Sequence, residues 1–241
     1  MTQAARVTAA RTTGNEATAT RILVMLGAPG AGKGTQAHLL AARLGLPHVS
    51  TGDLFRAALR DGSALGAEVR PYMERGALVP DEVTMHVIAA RLAMPDAQIG
   101  VILDGFPRTR PQAEALDGLL ADHGRRVSGA LYIEVDTDLL VSRLAGRRVC
   151  TAAAQHVYHL ESRPPLSPGV CDVDGTLLEQ RRDDQPETIR ARLDRQLPPM
   201  YDVIDHYVEH GMLLSVRGDR AIAEVTDELV RVVELAEKRA S

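Results

Sequence analysis

A glycine-rich loop near the N-terminus constrains the fold of this chain more than any other feature. The loop runs from Gly27 to Thr35 and reads Gly-Ala-Pro-Gly-Ala-Gly-Lys-Gly-Thr. It follows the apolar run 22–26, which is typical of a buried parallel strand, and it precedes a helical stretch at 36–44. This order predicts a phosphate-binding loop, because clustered backbone N–H groups and a helix N-terminus attract anions.

The loop fits the general phosphate-binding pattern with one departure. Gly27, Gly32 and Lys33 stand at the expected intervals, and Lys33 supplies a mobile positive charge for the outer phosphates. Most such loops carry Ser or Thr directly after the lysine. Here Gly34 occupies that position, and the hydroxyl follows one residue later at Thr35.

Composition excludes several classes of protein. The 241 residues suffice for a full core, and the apolar content of 45% is ordinary for a globular chain. The formal charge of -4 and an aromatic content of 3% argue against a nucleic-acid partner. No apolar run approaches the roughly 20 residues that span a membrane, and the N-terminus lacks the apolar core of a signal peptide. We therefore expect a cytoplasmic protein without a membrane partner.

Alternating apolar runs and amphipathic stretches predict an α/β fold, a three-layer sandwich around a five-stranded parallel sheet. The predicted strands are 22–26, 45–49, 101–103, 130–135 and 212–216. The predicted helices are 36–44, 54–60, 63–75 with Pro71 kinking or splitting it, 80–94, 111–123, 137–144, 186–208 and 221–238. Residues 1–20 have no apolar periodicity and predict a mobile tail, with an organelle transit peptide as the alternative.

Five motifs occur in the order known from one family. They are Gly27–Thr35, Ser50-Thr-Gly-Asp-Leu-Phe-Arg56, Asp104-Gly-Phe-Pro-Arg-Thr109, Gly146-Arg-Arg148 and Arg181-Arg-Asp-Asp184. Together they resemble adenylate kinase in its long-lid form, over residues 21 to about 238. In that family the loop itself reads Gly-Lys-Gly-Thr, so Gly34 agrees with the resemblance.

The resemblance implies a single kinase domain, 21–241, with two inserts. The core would comprise 21–49, 80–145 and 185–241, the helical segment that binds the nucleoside monophosphate (NMP) would be 50–79, and the lid would be 146–184. The implied reaction is ATP + AMP ⇌ 2 ADP with Mg²⁺, in a monomer whose substrates are ATP, AMP and ADP. A UMP/CMP kinase and a non-catalytic nucleotide-binding regulator are the alternatives, and Thr51 and the long lid favour AMP.

The resemblance also assigns residues to each nucleotide. For ATP these are Gly30, Ala31, Gly32, Lys33, Gly34, Thr35, Arg143, Arg147, Val157, Tyr158 and Arg220. For AMP they are Thr51, Arg56, Ala77, Leu78, Val79, Gly105, Phe106, Pro107, Arg108, Gln112, Arg181 and Arg192. The groups expected to act on the transferring phosphoryl are Lys33, Arg108, Arg147, Arg181 and Arg192.

Physical chemistry supports the arginine assignments independently. Phosphoryl transfer between nucleotides gathers many negative oxygens, so catalysis depends on positioning and charge neutralisation. Guanidinium groups match phosphate oxygens in geometry and charge, and this chain supplies them from several separate segments. Of the nearby acids, Asp104 is the better candidate to orient hydrated magnesium, because Asp53 could equally cap a helix.

Both cysteines fall in the predicted lid. Metal-binding lids of this family usually begin with Cys-x2-Cys, but Cys150 is followed here by Thr-Ala-Ala. His156 is the nearest replacement, and Cys171-x2-Asp174 has the spacing of a metal-binding turn. We therefore predict a structural zinc site of Cys150, His156, Cys171 and Asp174, with His159 as the second-choice histidine. A lid without metal and a disulfide are the alternatives.

Overall fold

A computed structural model of the chain describes residues 20–153 and 155–240. The predicted tail, 1–20, lies outside the described residues except for Thr20. The strands are β1 (Arg21–Leu26), β2 (His48–Ser50), β3 (Gly100–Asp104), β4 (Gly129–Glu134), β5 (Arg147–Cys150), β6 (Val157–His159), β7 (Leu178–Glu179) and β8 (Leu213–Arg217). The helices are α1 (Lys33–Leu44), α2 (Thr51–Arg60), α3 (Ala64–Glu74), α4 (Asp81–Leu92), α5 (Arg110–Ala121), α6 (Thr137–Gly146), α7 (Pro186–Glu209) and α8 (Ile222–Ala240).

The predicted five-stranded parallel sheet is confirmed. Its strand order is β2-β3-β1-β4-β8, and every neighbouring pair is parallel. The central strands β1 and β3 are almost entirely buried, which explains why both are continuous apolar runs in the sequence. In the register, Asp104 pairs with Met25 on one side and Ser50 on the other. The segments that follow these three strands therefore leave the sheet side by side.

Helices α2 and α3 form a small unit beside the sheet. Phe55, Val69 and Val79 make an apolar cluster of their own, separate from the main core. Pro71 lies inside α3, which continues through it as one helix, so the predicted split does not occur. Pro71 cannot donate to the carbonyl of Ala67, but both residues are exposed. Water can therefore satisfy that carbonyl, which removes most of the cost of the missing bond.

The segment between α6 and α7 folds as a second, three-stranded sheet. Its order is β6-β5-β7, and both pairs are antiparallel. Cys150, Tyr158 and Cys171 make a third apolar cluster in this segment. The turns and short strands predicted here are confirmed. No helix in the described ranges is both long and apolar enough to cross a membrane.

Candidate active site

The glycine-rich loop lies at the carboxyl end of β1. Lys33 is the first residue of α1, and its ammonium donates to the carbonyl oxygens of Gly27 at 2.7 Å and Ala28 at 3.0 Å. Gly30 has a φ of +87°, and a Cβ there would lie 3.0 Å from the carbonyl oxygen of Leu140. A side chain at this position would thus be both strained and crowded, which explains a glycine at the turn.

The glycine at position 34 lies close to the carboxylate of Asp104. A Cβ at Gly34 would stand 3.3 Å from Oδ2 of Asp104, at the end of β3. The serine or threonine of other phosphate-binding loops would place its Cβ atom against this carboxylate. The departure seen in the sequence therefore accompanies a close approach of α1 to Asp104.

Burial and neighbouring charges shift the pKa values of both Lys33 and Asp104. Burial lowers the pKa of Lys33 to about 7, although Asp104 opposes that shift. Burial alone would raise the pKa of Asp104, but His48 and Lys33 outweigh it and hold the pKa below its usual range. Asp104 is therefore an ionised carboxylate at neutral pH, with His48 Nε2 at 3.5 Å from its Oδ2.

The cavity over the loop has a volume of about 820 Å³. The loop and α1 form one wall, β6 forms another, and the start of α8 closes one end. This volume is in the range of sites for nucleotide-sized ligands. Every residue predicted for ATP lines it, namely Gly30, Ala31, Gly32, Lys33, Gly34, Thr35, Arg143, Arg147, Val157, Tyr158 and Arg220.

Two arginines lie at the far end of this cavity. Arg143 donates from Nη2 to the carbonyl of Gly218 at 2.9 Å. The side chain of Arg220 forms an ion pair with Glu228 on α8.

A second, narrower pocket opens between α2, α3 and the 105–109 loop. Most residues predicted for AMP line it, and these are Thr51, Arg56, Ala77, Leu78, Val79, Gly105, Arg108, Gln112 and Arg192. Pro107 instead lines a small adjoining cavity, and Arg181 lines the large one. The side chain of Phe106 is fully buried in the main core, so it lines neither nucleotide cavity.

Several guanidinium groups meet where the two pockets join. Arg56, Arg108 and Arg192 line both of them, and Arg147 and Arg181 line the large one. Burial, followed by Arg192, lowers the pKa of Arg108 to about 10. Burial, followed by Arg56 and Arg147, lowers the pKa of Arg181 to about 9. Guanidinium groups that depress one another's pKa define a cleft that is short of negative charge.

Three aspartates pair with arginines of this group. Asp184 is completely buried and accepts two hydrogen bonds from Arg147, at 2.7 and 2.6 Å, and one from Arg192 at 3.0 Å. Asp183 also pairs with Arg192, at 2.9 Å. Asp53 pairs with Arg56 at 2.5 Å, while Ser50 caps α2. Asp53 is therefore an arginine partner and not the helix cap.

Sequence patterns missed some of these contacts. Asp184 was visible in the Arg-Arg-Asp-Asp motif, but nothing assigned it to two arginines. Gln196 lies one helical turn after Arg192, lines the narrow pocket, and accepts from Arg108 Nη1 at 3.3 Å. The four-residue spacing from Arg192 on an amphipathic helix is the signal that could have found it.

The predicted metal ligands come together in the lid sheet. One ligand atom from each of Cys150, His156, Cys171 and Asp174 lies within 4.8 Å of all the others. Both cysteines are free thiols, so the disulfide alternative is wrong in this structure. His159 lies outside the cluster, where its Nδ1 accepts from the backbone N–H groups of Glu161 and Ser162, both at 3.1 Å.

Fold and cleft together define a P-loop nucleotide-binding protein whose site is built for several phosphate groups. Comparison with known proteins then gives the family. The family model for adenylate kinase matches residues 25–212. The adenylate kinase of Exiguobacterium sibiricum is 48% identical over 86% of this chain and 96% of its own length. Those of Lysinibacillus sphaericus and Bacillus subtilis are each 46% identical, over 86% and 84% of this chain and 95% and 93% of theirs. The chain belongs to the adenylate kinase family.

Proposed function

We propose that this chain transfers the terminal phosphoryl group of MgATP to AMP, giving two ADP. The observation that carries the proposal is the pair of adjoining pockets whose junction is lined by Arg56, Arg108 and Arg192. A large donor pocket and a narrow acceptor pocket, joined by guanidinium groups, suit two nucleotides that meet phosphate to phosphate. The identities of 46–48% to adenylate kinases support the same reaction.

The reaction needs little from the protein except geometry and charge. The acceptor phosphate is already an oxyanion, so no general base has to remove a proton from it. Lys33, Arg108, Arg147, Arg181 and Arg192 would bind the phosphate oxygens and neutralise charge in the transition state. We propose the donor and acceptor contacts implied by the resemblance. All of the ATP residues line the large cavity, and the AMP residues except Phe106, Pro107 and Arg181 line the narrow one.

Water competes with AMP as the acceptor, so the cleft must exclude it during transfer. We propose that segments 50–79 and 146–184 are the moving covers, over AMP and ATP respectively. The core would then be 21–49, 80–145 and 185–241. A monomer located in the cytoplasm is part of the same proposal.

Asp104 fits the role of orienting hydrated magnesium. Its carboxylate is ionised and lies in the large cavity beside Gly34 and Thr35. Hard oxygen ligands suit Mg²⁺, which keeps several of its waters. When bound, the ion would neutralise part of the charge on the phosphates of ATP.

The test of this function is a comparison of acceptors. Purified protein is given MgATP with AMP, CMP, UMP or GMP, and ADP formation is measured by coupled assay. We expect AMP to have the largest kcat/KM of the four. A larger value for CMP or UMP would favour the UMP/CMP kinase alternative, and no transfer to any of them would favour the non-catalytic regulator.

The pKa of Lys33 predicts proton uptake when ATP binds. At pH 8 a group with a pKa of about 7 is mostly neutral. The phosphates of ATP favour the ammonium form and raise that pKa, so binding should take up nearly one proton at pH 8 and fewer at pH 6.5. ATP affinity should therefore fall as the pH rises above 7. Calorimetry in two buffers with different ionisation enthalpies measures the uptake, and equal heats in both buffers at pH 8 would contradict the prediction.

We further propose that the lid cluster holds one structural zinc ion. Zinc bonds of about 2.0–2.3 Å put neighbouring ligand atoms of a tetrahedron roughly 3.3–3.8 Å apart. The distances here are 3.3 Å from Cys150 Sγ to Asp174 Oδ2, 3.5 Å from Cys171 Sγ to His156 Nδ1, and 3.1 Å from His156 Nδ1 to Asp174 Oδ2. Thiolate, imidazole and carboxylate are ligands that zinc accepts.

Metal analysis of protein purified without a histidine tag tests the zinc site. We expect one zinc per chain, two thiols that react only after chelation, and a lower melting temperature when the metal is removed. His156→Ala should lose most of the metal. His159→Ala is the matched control, because His159 lies outside the cluster, and it should keep the metal. No stoichiometric metal together with two reactive thiols would reject the site.

A further inference from the structure

Gln112 is a fully buried polar side chain at the end of the acceptor pocket. It lies in the first turn of α5, only 1% exposed, and lines the pocket with Thr51 and Arg108. Its amide is held from both sides. The backbone N–H of Arg108 donates to Oε1 at 2.8 Å, and Nε2 donates to Oδ1 of Asp81 at 2.7 Å.

These two partners fix which way round the amide lies. A backbone N–H can only donate, so the group facing Arg108 must be the amide oxygen. An ionised carboxylate can only accept, so the group facing Asp81 must be the amide nitrogen. Rotation of the Gln112 amide by 180° would set donor against donor and acceptor against acceptor. The orientation therefore follows from the chemistry of the neighbours.

Asp81 is itself held firmly. It is the first residue of α4, and the N-terminus of a helix favours a negative charge. Its second oxygen, Oδ2, accepts from the hydroxyl of Thr109 at 2.8 Å. Thr109 caps α5 by accepting from the backbone N–H of Gln112 at 3.3 Å. Asp81 thus ties α4 to the residue that starts α5 and to the side chain that faces the pocket.

Among the described residues, the fixed amide keeps one free acceptor and one free donor position. Each end of an amide can make two hydrogen bonds, and Arg108 and Asp81 use one at each end. The remaining pair matches the Watson–Crick edge of adenine, where the 6-amino group donates and N1 accepts. Hypoxanthine and guanine reverse that pattern, because O6 accepts and N1–H donates. A free amide could turn to suit either pattern, whereas a fixed one cannot.

We propose that Asp81 is a positioning residue for base selection, which holds the Gln112 amide in the orientation that accepts a 6-aminopurine and rejects a 6-oxopurine. This inference rests on the proposed function, in which the pocket takes AMP. Asp81 does not touch the base and acts only through Gln112. A buried polar site rejects a mismatched ligand strongly, because its own groups are then left unpaired.

The test compares AMP with IMP, whose bases differ in the 6-substituent and the proton on N1. The variant is Asp81→Asn, which keeps the shape but offers either a donor or an acceptor to Gln112. The kcat/KM ratio of AMP to IMP should fall about tenfold, the value of one well-formed hydrogen bond. The loss should appear as a raised KM for AMP, with kcat and the KM for MgATP nearly unchanged.

Glu82→Gln is the matched control. Glu82 is the next residue in the same first turn of α4, and its side chain is exposed. Glu82→Gln changes the charge at this helix end as Asp81→Asn does. Its AMP to IMP ratio of kcat/KM should nevertheless stay at the wild-type value. Asp81→Ala provides a second variant that removes the carboxylate altogether, and the ratio should fall with it as well.

An unchanged AMP to IMP ratio in both Asp81 variants would overturn the inference. This includes the case in which kcat/KM falls equally for AMP and IMP, because a general weakening of α4 does not distinguish the two bases. Failure of the proposed function has a different outcome, since the wild-type protein would then not phosphorylate AMP at all.

Discussion

Replacement of Lys33 by methionine is expected to lower the turnover of MgATP and AMP at least about a hundredfold. Lys33 carries the ammonium group of the phosphate-binding loop, and it is partly buried where α1 meets the large cavity. Methionine fills a similar volume but carries no charge, so the phosphates would lose the cation that the loop supplies. Steady-state kinetics with both substrates at saturation measures the effect on kcat.

The chain offers a matched control for this change. Its only other lysine is Lys238, an exposed residue near the end of α8. Lys238→Met removes the same charge far from the cleft and should leave kcat unchanged. Circular dichroism and thermal melting should show that both variants are folded. Near-normal turnover in folded Lys33→Met protein would be incompatible with the proposed mechanism.

Replacement of Arg147 by alanine should also lower kcat by about a hundredfold or more. Arg147 is the first residue of β5 in the lid sheet, and its guanidinium lies in the cleft with those of Arg181 and Arg192. The two hydrogen bonds to Asp184 hold it in that position. Alanine removes a cation that we expect at the phosphates and also weakens the link from the lid to α7.

The neighbouring residue in the same strand is the control. Arg148 follows Arg147 in β5. Within the part of the chain that the structure describes, it does not line the cavity, and it donates to the backbone carbonyls of Ala145 and Arg147. Arg148→Ala should therefore keep kcat within about threefold of the wild-type value, as most surface substitutions have small effects. Equal losses of kcat in the two variants would mean that the lid sheet, and not the Arg147 charge, is what matters.

The parts of the fold that depend on burial were predictable from the sequence. Strands β1 and β3 are buried on both faces, so each appears in the sequence as an uninterrupted apolar run. Such a run can be recognised without knowing which strands it pairs with. The sequence pattern predicts that α1 begins at residue 36, three residues after its first residue in the structure, Lys33. Its N-cap is Gly32 in a left-handed conformation, and glycines read as loop residues by propensity.

Contacts between segments that are distant in the sequence were harder to predict. Asp184 meets Arg147 across 37 positions of sequence, and nothing in either segment alone indicates the pairing. Asp81 reads as an ordinary helix-start acid, and only the packing of α4 against α5 brings it to Gln112. Local patterns carry propensity and periodicity, whereas hydrogen bonds of this kind depend on the tertiary arrangement.

In the lid, the spacing of residues in the sequence was enough to predict the clustered ligands. The choice of His156 over His159 rested on its distance from Cys150 in the sequence, and the described structure groups His156 with both cysteines and Asp174. The expected second cysteine position carries Ala153, which packs against the apolar cluster of the lid. The proposed zinc ion would hold the lid together and would take no part in the chemistry of the cleft.

The balance of products tests the central claim most directly. Purified protein is incubated with equal amounts of MgATP and AMP, and the nucleotides and inorganic phosphate are followed by ³¹P NMR. Phosphoryl transfer between the two pockets predicts two ADP for each ATP consumed, a mixture of all three nucleotides at equilibrium, and no inorganic phosphate. Release of inorganic phosphate with AMP left unchanged would contradict the account, because the cleft would then be passing the phosphoryl group to water.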